Sequence, residues 1–368
     1  MALKSGLGWR GKALREINRL RHQVTDALSV LPDRSATRRY DARFSKAVLL
    51  REGAQRAGDR VALVLLYQPA GIAPSTLAML DHLLGRGYVP LVISNAALQA
   101  DAADVLARSA FVMERPNFGY DFGGYRDGLR VLEEQGLDPE WLLILNDSIW
   151  FPLREDETMI ARMEASGSPF LGAMYELKGN RVHRSHYESY FFLVSRAARR
   201  SAAFRDYWRD YLMSSTKRKV LQRGEKGFSQ AMFAGGFAPS GLASRQAFLD
   251  HVATADDGWL RKTLDYAAYS EDALAQERDA ILALPDGDAF RDRARDHIRR
   301  ASAGGTYHDT FHWGAAVLFG LSFMKKRNRA QTVEMRRQYL RAVAAGDLAP
   351  PLPVMLAEIR ASVPEGRP

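Results

Sequence analysis

The sequence contains no cysteine. That excludes disulfides, thiolate metal sites and thiol nucleophiles, agrees with a reducing compartment, and leaves oxygen and imidazole to hold any metal. No run of about 18 or more uncharged apolar residues occurs, so no membrane-spanning helix is expected. Residues 1–24 lack the apolar stretch and small-residue cleavage site of a secretory signal, and the expected location is the cytoplasm. The Walker pattern G-x-x-x-x-G-K-[ST] is missing, and the glycine cluster "GYDFGG" lacks the G-x-G-x-x-G spacing, which disfavours ordinary ATP and NAD enzymes. Zinc-knuckle, KH and RNP-like motifs are also missing, so nucleic acid is not an expected partner.

The 368 residues are 46% hydrophobic, enough for one large domain or two modest ones with a real core. The net charge of +9 asks for an acidic partner. Residues 1–24 carry Lys4, Arg10, Lys12, Arg15, Arg19 and Arg21 against Glu16, while Leu3, Leu7, Leu14, Ile17, Leu20 and Val24 recur at helical steps. Such a helix either docks on the core or lies on an anionic membrane surface. A second basic cluster, "FMKKRNR" at 323–329, is compatible with both.

From residue 61 strands and helices alternate. "VALVLLY" and "VPLVISN" read as strands buried on both faces, "PSTLAMLDHLLG" (74–85) and "LQADAADVLARS" (98–109) as helices, "FVMERP" as a third strand and "WLLILND" as a fourth. Between the last two, "GYRDGLRVLEEQG" (124–136) is a helix ending at Gly136. The fold class is α/β, with a Rossmann-like parallel sheet whose ligands bind outside the carboxyl ends of the strands where strand order reverses.

Two stretches leave that edge. In "NFGYDFGGYRDGL" (117–129), Gly119, Gly123 and Gly124 allow close backbone approach ahead of a helix, with Asp121 either a helix cap or a site residue. In Asn146-Asp147-Ser148, Asp147 is either a hard-metal ligand bridging to substrate phosphates or the cap of a turn. His183 and His186 read as hydrogen-bonding or substrate contacts rather than metal ligands, His312 as lining or packing, and Trp313 as packing. Residues beyond 240 read as charged helices, and "APPLPV" (349–354) as irregular surface.

The segments "NFGYDFGGYRDGL", "LLILNDSIWFPL", "HRSHYESYFFLVS", "GEKGFSQAMFAGG" and "HDTFHWGAAVLFGLSFMKK" occur in the order found in the rhamnan synthesis protein F family, which the chain resembles over roughly residues 60–330. The resemblance implies a GT-A-like glycosyltransferase fold with a more helical C-terminal part. The expected divisions are a basic amphipathic helical N-terminal segment (1–50), a GT-A-like catalytic domain (51–245, donor half 60–152, acceptor half 168–245) and a mainly helical region (246–368). The resemblance implies transfer of a deoxyhexose, typically L-rhamnose, from a nucleotide-diphosphate sugar to a growing surface polysaccharide or lipid-linked glycan, at the inner face of the membrane. Asn117, Gly119, Tyr120, Asp121 and Gly123 resemble its donor loop, and Asn146, Asp147 and Ser148 its metal and diphosphate motif, with Mg or Mn held at Asp147. One carboxylate stands there where Asp-x-Asp offers two. His186 falls in a family-like motif as a sugar or diphosphate contact. Inverting transfer needs a base, for which Glu225, Glu188 and Asp121 are candidates, Glu225 first. A non-catalytic nucleotide-sugar or glycan-binding protein on the same fold is the alternative.

Overall fold

The computed structural model describes residues 30–176, 185–303 and 306–364. The basic segment at 1–24 and His183 lie outside them. Eleven strands are described: β1 (Leu49–Glu52), β2 (Arg60–Leu66), β3 (Val89–Ser94), β4 (Phe111–Glu114), β5 (Trp141–Asn146), β6 (Ile149–Trp150), β7 (Phe170–Glu176), β8 (His186–Tyr187), β9 (Phe191–Ser195), β10 (Gly241–Ser244) and β11 (Met324–Lys325). Nine form one sheet in the order β1-β4-β3-β2-β5-β9-β7-β10, with β8 on β7, while β6 and β11 form a separate pair. Strands β4, β3, β2 and β5 run parallel. Beyond β5 the pairings with β9, and of β9 with β7, are antiparallel.

The continuous apolar runs follow from burial on both faces. Ala62, Val64 and Leu66 of β2 pack into one core cluster, and Val61, Leu63 and Leu65 into another. β5 does the same with Leu143 and Leu145 on one face and Leu142 and Ile144 on the other. Helices Pro74–Gly85, Ala102–Ala107 and Tyr120–Glu134 connect the parallel strands. The second is shorter than its pattern predicts, because residues 99–101 turn as a 3₁₀ segment. The third is longer, beginning at Tyr120 inside the glycine-rich stretch.

The C-terminal part is helical from Arg245, with β11 inserted. Residues 349–354 are not wholly irregular surface: Pro353 opens the helix Pro353–Ala361, as proline can at a first helical position. Met355 and Ile359 of that helix are buried against Trp150 and Leu153. The chain winds from β2 outward to β3 and β4, then returns to β5 on the other side of β2. Strand order therefore reverses between β2 and β5, and the loops leaving their carboxyl ends meet there.

Candidate functional site

The loop after β4 is set from below by Arg115. This buried guanidinium donates to Asp127 Oδ2 at 2.7 Å, Asn95 Oδ1 at 2.5 Å and the Phe118 carbonyl at 2.6 Å. Asn95 in turn donates to Asn117 Oδ1 at 3.0 Å, so that carbonyl works within the loop. Gly119 and Tyr120 follow at φ 82° and 50°, two successive left-handed residues of which only the glycine adopts that backbone readily. The helix then lies hard against the sheet. A Cβ on Gly123 would stand 2.3 Å from the Phe118 carbonyl oxygen, and one on Gly124 2.1 Å from Leu65 Cδ1. Gly123 and Gly124 thus serve close approach, and the approach carries Asp121 to the end of β5. Asp121 is no helix cap, since Gly119 holds that position. Tyr120 reaches outward, its hydroxyl donating to the Ser215 carbonyl at 3.2 Å.

The Asn-Asp-Ser turn is knitted both to itself and to its neighbours. Asn146 Oδ1 accepts from the Ser148 amide at 3.1 Å and hydroxyl at 2.5 Å, while Asn146 Nδ2 donates to Asp121 Oδ2 at 3.3 Å. The Asp147 amide donates to the Leu65 carbonyl at 3.0 Å. Its Oδ2 accepts from the Tyr67 amide at 2.8 Å and Gln68 Nε2 at 2.9 Å, bridging the ends of β5 and β2. The turn role of Asp147 is therefore met by these bonds, at the edge of the candidate site. Burial pushes the Asp147 carboxyl up against these donors. Burial, and then the neighbouring Asp147 charge, push Asp121 up to about 6.

The two other candidate bases differ in kind. Glu225 lies in a single π-helical stretch, Leu221–Lys226, a feature frequent at functional sites. Its Oε2 accepts from the Ser189 hydroxyl at 2.8 Å and amide at 3.2 Å, and its Oε1 lies 3.7 Å from His186 Nε2. Glu225 is also among the charges that raise Asp121. Glu188 is buried with both oxygens engaged, by His308 Nε2 at 3.0 Å and Lys325 Nζ at 2.8 Å. Burial raises its carboxyl, but Lys325 and His308 outweigh burial and hold it well below the usual carboxylate range. A carboxylate so held is a poor proton acceptor.

Among the described residues no group of three or more His, Asp or Glu side chains gathers closely enough to hold a metal ion. Asp147 already accepts two hydrogen bonds on Oδ2, and Ser148 folds onto Asn146. The side chains in this turn do not compose a metal site by themselves. The basic run at 323–329 is not an outward patch: Lys325 pairs with Glu188, Lys326 donates to Ser75 Oγ at 2.9 Å, and Arg327 pairs with Asp309. His312 is buried beside a 310 Å³ cavity lined by none of the candidate carboxylates, and burial lowers it to about 4. Trp313 packs against Tyr266 and Trp259 with its Nε1 on the Asp347 carbonyl at 3.1 Å.

Sequence reasoning missed Gln68, Asn95, Arg115 and the lysines at 217, 325 and 326. The rule that ligands meet the carboxyl ends of parallel strands points to Gln68 and Asn95, which follow β2 and β3 as Asp147 follows β5. Lys325 and Lys326 stand in the basic run at 323–329, which carries no sign of a crevice role, and nothing local marks Lys217.

A glycine-backed loop and a carboxylate turn, meeting where a parallel sheet reverses its strand order, define an α/β protein with a candidate ligand site at that crevice. The family can be named as well. Residues 91–282 match the model of rhamnan synthesis protein F, and the chain belongs to that family. It is also 32% identical over 256 residues, 69% of this chain and 67% of the relative, to Uncharacterized protein y4gN of Sinorhizobium fredii (strain NBRC 101917 / NGR234). Membership places the chain in polysaccharide synthesis.

Proposed function

We propose that the chain is a GT-A-like glycosyltransferase that moves a deoxyhexose, L-rhamnose in the family's sense, from a nucleotide-diphosphate donor onto a growing surface polysaccharide or lipid-linked glycan. The observation that carries this reading is the convergence of Asp121, Asn146 and Asp147 at the reversal between β2 and β5. The acceptor hydroxyl oxygen attacks the anomeric carbon while the bond to the diphosphate oxygen breaks. Its electron pair leaves with the diphosphate, and the anomeric centre inverts.

The hydroxyl proton goes to a carboxylate, for which we assign Asp121 ahead of Glu225. A base works best when its pKa lies near the working pH, and Asp121 is pushed to about 6 at the crevice itself. Glu225 with Ser189 and His186 then forms the neighbouring wall and orients the acceptor. Glu188 is assigned no proton transfer, because its ion pairs keep it charged. Asp147 holds the Tyr67–Gln68 loop against the donor. We further propose that residues 1–24 bring the chain to the anionic inner face of the membrane, where lipid-linked acceptors stand.

A panel of nucleotide sugars with a glycan acceptor, with and without a divalent cation, tests the reading. Sugar transfer is the expected result. Hydrolysis alone, or binding without turnover, replaces it with a hydrolase or a non-catalytic binding protein.

A further inference from the structure

A diphosphate entering this crevice meets negative charge. Asn146 ties Asp121 to the Asp147 turn at 3.3 Å, and Asp147 and Glu225 both add negative charge around Asp121. Anions bind there only where cations offset that charge. The cations acting in the opposite sense are Lys217 and Lys325 on Asp121, and Lys326 on Asp147. Lys325 is already committed: its Nζ lies 2.8 Å from Glu188 Oε2 and 3.7 Å from the centre of the Tyr190 ring.

The other two are held less tightly. Lys217 is exposed and has no ion pair among the described residues; it follows Ser215, whose carbonyl accepts the Tyr120 hydroxyl. The short helix it opens, Lys217–Val220, packs on the helix bearing Asp121. Lys326 is held from the other side. Its amide donates to the Ser148 carbonyl at 2.8 Å, which places it against the Asp147 turn. Its Nζ donates to Ser75 Oγ at 2.9 Å, and its one ion pair, to Glu358, spans 3.9 Å. It is a partly buried ammonium whose charge is met by that pair and by the Trp150 ring, 5.7 Å from Nζ.

We infer that Lys217 and Lys326 form a two-lysine diphosphate site, one ammonium on each side of the Asp121–Asp147 crevice, which neutralises the leaving diphosphate with the chain's own cations. This rests on the transferase reading for its role, but not for its existence. An ammonium offers charge-assisted bonds to phosphate oxygens as a mobile point charge. The turn that does not gather metal donors and the two lysines beside it are consistent with one design.

Calorimetry with inorganic pyrophosphate, and with UDP, GDP and dTDP, in excess chelator tests the site on the full-length chain. Binding without added metal is expected. Lys217→Ala and Lys326→Met should each weaken pyrophosphate about tenfold or more, whereas Lys262→Ala, an exposed lysine paired with Asp347, should leave it unchanged. Lys217 is exposed, so its variant stays folded even if Lys326→Met melts early. Binding that appears only with Mg²⁺ or Mn²⁺ and ignores both lysine variants overturns the site. Lysine-dependent pyrophosphate binding in a protein that transfers no sugar upholds the site and removes the transferase reading instead.

Discussion

Asp121 is the residue in which the proposed function and stability oppose each other. The folded protein holds its carboxyl at about 6, above the ordinary 3.8, so the native state binds the proton more tightly than the unfolded chain. Asp121 therefore costs stability as the pH rises from about 4 through about 6, and the full cost is present above that window. Asp121→Asn keeps the acceptor for Asn146 and removes the charge. In urea melts the variant should gain on the order of 2 kcal/mol near pH 8, with the difference closing near pH 4. Its turnover should fall by roughly 10² to 10⁴ while donor binding survives. Normal turnover in Asp121→Asn, with the loss found in Glu225→Gln, would return the base to Glu225.

Glu188 should behave in the opposite way. His308 carries a raised pKa, since burial, which lowers it, is outweighed by Glu188 and Asp309. Its contribution to stability is full below the unfolded histidine value and is lost as the pH rises through the folded one. Glu188→Gln breaks a buried pair and should destabilise the protein by about 3–5 kcal/mol, and proton NMR should find the His308 titration moved to lower pH. An unchanged melt would show that the cluster is not structural.

At the scale of elements, the glycine-rich stretch fixes how close one helix can come to one strand. Gly124→Ala drives a methyl to within 2.1 Å of Leu65 Cδ1 and should cost about 1–3 kcal/mol. Gly85→Ala, in open space at the end of its helix, should gain about half a kcal/mol or more. Chemical denaturation of the pair checks both signs, and a neutral Gly124→Ala would mean the helix can shift away without loss. The four parallel strands were legible because burial on both faces writes itself as an unbroken apolar run. The helix Pro74–Gly85 was legible because proline and glycine punctuate it. Asp121 and Asp147 were legible as strand-edge residues, since the parallel layer dictates where such loops meet. The lysines and the Glu188 cluster were not, because Glu188 lies 120 residues from His308 and 137 from Lys325. No spacing within one element records such a contact. The same holds for helix Pro353–Ala361, whose apolar residues matter only once Trp150 and Leu153 lie beneath them.

Over the whole molecule, the placement of charge sets aside one of two basic runs that the sequence leaves equivalent as membrane contacts. The net charge is +9, and residues 1–24 carry six basic residues against one glutamate. The second basic run, at 323–329, turns inward: Lys325, Lys326 and Arg327 meet Glu188, Ser75 and Asp309. Among the described residues no helix is long and apolar enough to cross a membrane. In the proposed membrane contact the basic residues at 4–21 supply the attraction, each worth about 1 kcal/mol near the surface. Co-sedimentation with vesicles containing phosphatidylglycerol should be strong at low salt and weak at high salt. Replacing Arg10, Lys12, Arg15, Arg19 and Arg21 with glutamine should release the protein, whereas Lys326→Met should not. Sugar transfer to a soluble acceptor should persist in the glutamine variant, because the proposed chemistry lies between β2 and β5. Vesicle binding that survives the five glutamines would move the membrane contact to the described body of the protein, and loss of transfer in the same variant would tie residues 1–24 to the site instead.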